Sequence, residues 1–243
     1  MIADAHLCGE NGDQPFFRFL DYVSQQDESV GIVFMGDLYD LWIALPGYES
    51  AEQLRFLEWC RTEKEKRPVI FIEGNHEFFV AKTRRDAFTY CDETQYEQGK
   101  YHWIHGDRIN SEDWQYALLR FLIRNRVSRF LLTIFGHSIG PAAAHWIREK
   151  LREINSGHQK YFPREHVCRM LSGMNENQIV FAGHFHDQYQ ITEHNSTAEI
   201  LPAYLNQGEV ALYDVASGVL ETAQVPQISI FRPLCTEAVA PVN

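Results

Sequence analysis

The chain has 243 residues, 45% apolar and 13% aromatic, with a formal net charge of −11. Such a length and composition fit a single domain with a sizeable core and exclude a disordered chain, and the acidic balance argues against general nucleic-acid binding. No run of 18 uncharged apolar residues occurs and the first residues lack the basic-then-apolar layout of a secretion signal, so a cytoplasmic protein is expected. Five scattered cysteines with no Cys-x-x-Cys pair read as reduced thiols rather than disulfides or a zinc ribbon.

In chain order, the first feature is Asp4-Ala5-His6. An extended segment projects this acid and imidazole to one side. Only three residues precede Asp4, fewer than the about 5 to 6 of a usual strand, so the first strand is expected to be clipped. Residues 15–25 read as an amphipathic helix whose apolar face holds Phe16, Phe17, Phe19 and Leu20. A buried strand over 30–35 then runs into Gly36-Asp37-Leu38-Tyr39-Asp40. Charge is costly there unless it is paired, and catalytic groups gather outside the carboxyl ends of such strands, which makes Asp37 the organiser of a site.

Residues 51–66 form a second expected helix with Leu54, Phe56, Leu57 and Cys60 inward, closed by Pro68. Three further strands are expected at 69–72, 101–104 and 178–182. Each delivers polar residues into a loop: Glu73-Gly74-Asn75-His76-Glu77, His105-Gly106-Asp107, and Gly183-His184-Phe185-His186-Asp187. Residues 209–213 and 219–225 read as a hairpin around Ala216-Ser217-Gly218, and the tail from 236 is expected to fray.

With no Pro/Gly-rich linker, residues 1–243 read as one domain. Strand signals stop between His105 and Gly183, and a helical cap is expected over 111–175, broken at 136–141 and 157–163. Between residues 116 and 152 seven Arg or Lys face one acid, so this stretch carries +6 and the rest −17.

Together the strand-end residues Asp4, His6, Asp37, Asn75, His105, His184 and His186 offer oxygen and imidazole donors without sulfur, a set suited to Mn, Fe or Zn. Seven ligands exceed what one ion with an open position needs but suit two ions sharing the Asp37 carboxylate. Two ions about 3.5 to 4 Å apart clamp a phosphoryl group and generate hydroxide near neutral pH, so hydrolysis of a phosphoester or pyrophosphate is expected.

The ordered set Asp-x-His, Gly-Asp-x-x-Asp, Gly-Asn-His-Glu, a later His and Gly-His-x-His resembles the calcineurin-like metallophosphoesterases across the chain except its cap. The resemblance implies a four-layer αββα sandwich of two mixed sheets. It further implies that Asp4, His6, Asp37 and His186 hold one ion and Asp37, Asn75, His105 and His184 the other. His76 is then free of metal and stabilises the transition state or protonates the leaving oxygen, oriented by Asp40. An imidazole, with an ordinary pKa of about 6.5, suits proton donation.

Asp37-Leu-Tyr-Asp40-Leu-Trp42, followed by Asp113, Tyr116 and Arg120 and a helical insertion, is similar to the UDP-2,3-diacylglucosamine diphosphatases of lipid A synthesis. This implies release of UMP from a nucleotide-linked glycolipid, two Mn ions, and substrate contacts from Asn75, Asp113, Tyr116 and Arg120. The cap then clasps the acyl chains with Leu118, Leu119, Phe121, Leu122, Ile123, Phe130, Leu131 and Leu132. Its arginines face phosphates or anionic headgroups, giving peripheral contact with the inner membrane. Asn206 is a further candidate for seating sugar or phosphate, and no obligate protein partner is expected. His76 departs from this pattern, because the best-known members carry Arg there. The alternatives are a metallophosphoesterase acting on another nucleotide or soluble phosphodiester, and a metal-free scaffold of the same fold.

Overall fold

The computed structural model describes residues 1–8, 13–109, 122, 124–134, 140, 144, 146–147, 150 and 162–225. Asp113, Tyr116, Arg120 and much of the expected cap therefore lie outside the described residues, as do the side chain of Asn206 and the tail.

The order of layers follows from strands that alternate sides. In β1 (Ile32–Phe34) and β3 (Val69–Ile72), which pair in parallel, Ile32, Phe34, Val69 and Phe71 turn to one side. There they meet α1 (Gln14–Val23), through Phe16, Phe17 and Leu20, and α2 (Ala51–Glu63), through Phe56 and Leu57. Val33, Met35, Ile70 and Ile72 turn to the other side and pack with Phe181, Trp103 and Tyr96 of a second sheet. Period-two alternation with both faces apolar is what a strand sandwiched between two layers requires.

The first sheet has the order β1-β3-β5 (β5, Tyr90–Asp92), all parallel. In the second, β6 (Gln95–Gln98), β7 (Tyr101–Ile104), β8 (Ile179–Ala182), β10 (Ser196–Ile200) and β9 (Tyr189–Glu193) lie side by side in that order. Here β7, β8 and β10 are parallel and the edges β6 and β9 antiparallel. On its outer face Val180, Ala182, Ala198 and Ile200 meet Val167 and Leu171 of the helix Arg164–Ser172. The layers are thus helix, sheet, sheet, helix, as expected, but only the second sheet is mixed; the first is all parallel among the described residues. Arg164–Ser172, which falls inside the stretch read as cap, serves as the outermost of these layers.

Two small pairs complete the fold: β2 (Trp42–Ile43) with β4 (Glu77–Phe78), parallel, and β11 (Glu209–Asp214) with β12 (Val219–Gln224), antiparallel. The expected first strand is reduced to bridges of Ile2 with Phe34 and Leu7 with Tyr39.

One inward reading is corrected. Leu54 is exposed, and the buried stripe of α2 runs Gln53, Phe56, Leu57, Cys60, Glu63 instead. Gln53 turns inward because it closes a capping box with Ser50 and donates from Nε2 to the Leu41 carbonyl at 3.0 Å.

Candidate metal centre

All the motif loops meet at one end of the two sheets. The N-terminal segment zips alongside the loop after β1, with the Asp4 amide on the Gly36 carbonyl at 3.1 Å and the His6 amide on that of Asp37 at 3.0 Å. Across the sheets, His105 Nδ1 stands 2.8 Å from the Met35 carbonyl, and the Gly183 amide donates to the His105 carbonyl at 2.8 Å. The loops are pressed so close that a Cβ on Gly74 would lie 2.2 Å from Asp37 Oδ1, and one on Gly36, where φ is +85°, 2.6 Å from Gly74. Only glycine fits there.

Asp4, His6, Asp37, His184 and His186 all hold positive φ, between 46° and 73°. Asp and His visit this region more readily than bulkier residues, yet each such residue costs of order 1 to 3 kcal/mol unless its surroundings impose it. Strain concentrated on five of the seven expected ligands marks a functional site.

The donor atoms form three overlapping groups, each with its atoms within 4.8 Å of one another: Asp4, His6 and His186; Asp37, His105 and His184; and His6, Asp37 and His76. Within them His105 Nε2 is 3.4 Å from Asp37 Oδ2 and 3.0 Å from Asn75 Oδ1, His186 Nε2 is 3.4 Å from Asp4 Oδ1, and His6 Nε2 is 3.4 Å from His186 Nε2. Asp37 belongs to the second and third groups and approaches the first through His6, whose Nε2 lies 3.9 Å from Asp37 Oδ2.

Two observations test the fit to cations. Buried Asp4 Oδ1 has no well-formed hydrogen bond among the described residues, a costly state for a carboxylate that a cation relieves. A carbonyl only accepts, so His105 Nδ1 carries the proton and Nε2 is left facing Asp37 and Asn75, the usual arrangement for a histidine ligand. The residues present fit divalent metal ions.

The electrostatics agree. Burial opposes the charged forms of Asp37 and Asp4, but neighbouring imidazoles prevail, holding Asp37 well below the usual carboxylate range and Asp4 below it. Burial likewise opposes a charge on His105, yet Asp37 beside it raises the imidazole to about 10. Burial, aided by the charge on His105, lowers His184 to about 4. A charged cluster of this kind lets a cation displace protons.

His76 is held by its Nδ1, 2.6 Å from the Asp40 carbonyl, and its Nε2 lies 3.9 Å from Asp37 Oδ2. The Nδ1–H donates to that carbonyl, so Nε2 is the nitrogen turned to the centre. The contact from Asp40 thus comes through its main chain, whereas its carboxylate Oδ1 stands 3.5 Å from His6 Nδ1. Burial works against charge on His6, but Asp40 and Asp37 raise its pKa. Asp40 is followed by β2, so it caps no helix there.

As part of the Gly-Asn-His-Glu motif, Glu77 has no role assigned by its sequence context. The structure sets its buried carboxylate under the site, accepting the amides of Asp37 and Gly74 at 2.8 Å and of Leu38 at 2.7 Å. Burial and the charge of Asp37 push it up to about 7. The acid after Asn75-His76 was the available signal. Its target, the Asp37 loop 40 residues earlier, was not readable.

Residues 1–188 match the model of the calcineurin-like phosphoesterases. A UDP-2,3-diacylglucosamine hydrolase of Shewanella pealeana is 24% identical over 93% of this chain and 97% of its own length. Hydrolases of that name from Hamiltonella defensa and Shewanella baltica are 28% and 38% identical, over 65% and 33% of this chain. The matches span 62% and 33% of those two relatives. A cold-active protein-tyrosine phosphatase of a Shewanella species superposes with a TM-score of 0.44 at 16% identity, covering 92% of this chain and 79% of that one. With the motif loops gathered at one end of the two sheets and the family match spanning them, this chain belongs to the calcineurin-like phosphoesterases.

Proposed function

We propose that the chain hydrolyses the pyrophosphate of UDP-2,3-diacylglucosamine, releasing UMP and 2,3-diacylglucosamine 1-phosphate. The observation that carries this reading is the likeness to the Shewanella pealeana hydrolase over 93% of the chain, because it extends beyond the metal motifs shared by the whole family.

Asp4, His6, Asp37 and His186 hold one divalent ion, and Asp37, Asn75, His105 and His184 the other, with manganese the proposed metal. When bound, the ions supply a hydroxide near neutral pH and positive charge for the phosphoryl oxygens. Asp40 fixes the imidazole of His6 through its carboxylate and that of His76 through its carbonyl. His76, with Nε2 toward the centre, donates the proton that the departing oxygen needs.

The described cap residues support a lipid substrate. In the helical stretch 126–134, Val127, Phe130, Leu131 and Ile134 are all exposed and fall at i, i+3, i+4 and i+7, with Arg126 and Arg129 close by. An exposed apolar stripe beside guanidinium groups suits acyl chains and an anionic membrane surface. We assign the cap, with Asp113, Tyr116 and Arg120, to substrate binding and to peripheral contact with the inner membrane. No helix among the described residues is long and apolar enough to cross a membrane.

The test is UMP release with Mn from UDP-2,3-diacylglucosamine and from UDP-N-acetylglucosamine, each with the wild type and His105→Ala. Release from the acylated substrate alone, lost in the variant, is expected. Equal cleavage of both substrates would overturn the lipid assignment and leave a nucleotide pyrophosphatase.

A further inference from the structure

One cation of the cap reaches into the loop that carries Asn75 and His76. Arg124 leaves only 8% of its side chain exposed. Its Nη2 donates to the carbonyls of Gly74 at 2.8 Å and Glu77 at 2.6 Å, and lies 3.3 Å from Glu73 Oε2. The Phe78 ring lies beneath, its centre 5.5 Å from the guanidinium carbon. The loop is thus held by one nitrogen at both ends of the dipeptide Asn75-His76.

The same loop is tied from the other side. The Glu77 carboxylate holds the Asp37 and Leu38 amides, Asp37 Oδ1 accepts the His76 amide at 2.9 Å, and Glu73 Oε1 accepts the Ala81 amide at 2.7 Å. Arg124 Nε and Nη1 are buried and have no hydrogen-bond partner among the described residues. A charge held out of water with two donors unsatisfied is expensive for an ordinary packing contact. Its position on the loop that supplies both an expected metal ligand and the expected proton donor gives it a use.

We propose that Arg124 is a positioning residue: it acts through the Gly74 and Glu77 carbonyls to set Asn75 Oδ1 toward the second ion and His76 Nε2 toward the leaving oxygen, coupling the cap to the metal loop. The proposal rests on the roles given above to Asn75 and His76. It gives Arg124 no contact with substrate. Outer groups that orient ligands typically change metal affinity or activity by about 10- to 100-fold when removed. Lysine keeps the charge beside Glu73 but lacks the planar fork, so it should replace Arg124 only in part.

The experiment compares wild type, Arg124→Gln and Arg124→Lys, with Asn75→Ala and His76→Ala as references. Bis-p-nitrophenyl phosphate is the substrate, so that no lipid specificity enters. The readouts are calorimetric Mn titration, kcat and KM separately, and the melting temperature of metal-free protein. Arg124→Gln should lower kcat roughly 10- to 100-fold with KM little changed and weaken one of the two Mn sites by a similar factor, with partial recovery in Arg124→Lys. Unchanged kcat and Mn affinities, with only a lower melting temperature, would make Arg124 a mere anchor and overturn the proposal. A rise in KM with kcat and metal binding intact would overturn it too, in favour of a substrate contact. If Asn75→Ala itself leaves metal binding and turnover intact, the reading of the site has failed rather than the assignment of Arg124.

Discussion

The strands β1 and β3 have two ends of opposite character. Over Ile32–Phe34 and Val69–Ile72 every side chain is buried and apolar, packed against α1 and α2 on one face and the second sheet on the other. Within five residues of these strand ends the same segments carry Asp37, Glu73, Asn75, His76 and Glu77, all buried and polar. The residues beside them, Asp4 and His6, stand with Asp37 in left-handed backbone. The apolar half stabilises the fold; the polar half consumes part of that stability to hold like-charged and strained groups ready for cations. The contrast teaches that the site is imposed by the core and completed by metal, and that each half should respond to different perturbations.

Changing the bridge should have the largest effect. Asp37→Ala removes the ligand proposed to be common to both ions, so metal content measured by atomic emission should fall from the expected two ions per chain to below one and turnover to background. Two ions retained would break the contrast. His76→Ala should leave both ions bound but lower kcat by about 10²- to 10⁴-fold for alkyl leaving groups, and much less for p-nitrophenolate, which departs without a proton. Equal losses with both would remove its assignment as proton donor.

On the apolar side, Phe56→Ala empties a fully buried position in contact with Phe16, Phe34, Trp42 and Phe71. Urea unfolding should show a loss of about 3 to 5 kcal/mol, while Mn affinity in the folded protein stays within about two-fold. The smallest effect is one of pH. Metal-free His105 keeps its proton up to about 10, against the penalty of burial, because Asp37 lies beside it, so an ion at its Nε2 must displace that proton. The affinity of this ion should rise by up to about tenfold per pH unit between pH 6 and 9. His184, lowered to about 4 by burial and His105, is already neutral and adds no slope. A pH-independent affinity would contradict the charge state given to the cluster.

The layers were legible in the sequence where apolar runs were long and ended abruptly: 69–72 and 101–104 coincide with the observed strands, and the seven expected ligand residues come together because each motif is local and sits at a strand end. Much of the rest was set by tertiary contacts. The hairpin Tyr189–Glu193 and Ser196–Ile200 went unread because its two-residue turn is His194-Asn195, both at positive φ, rather than a glycine pair. Leu54 was misplaced because apolar character alone pointed inward, whereas Gln53 buries a polar side chain by meeting the Leu41 carbonyl. The double service of Asp40, and the grip of Arg124 on a loop 50 residues earlier, leave no local pattern at all.

The measurement that tests the central claim most directly is electron paramagnetic resonance of the Mn-loaded protein at two equivalents. Two ions sharing the Asp37 carboxylate predict an exchange-coupled spectrum, replaced in Asp37→Asn by uncoupled Mn or by a loss of bound metal. Two uncoupled ions in the wild type, or saturation at one ion per chain, would contradict the shared centre on which this account rests.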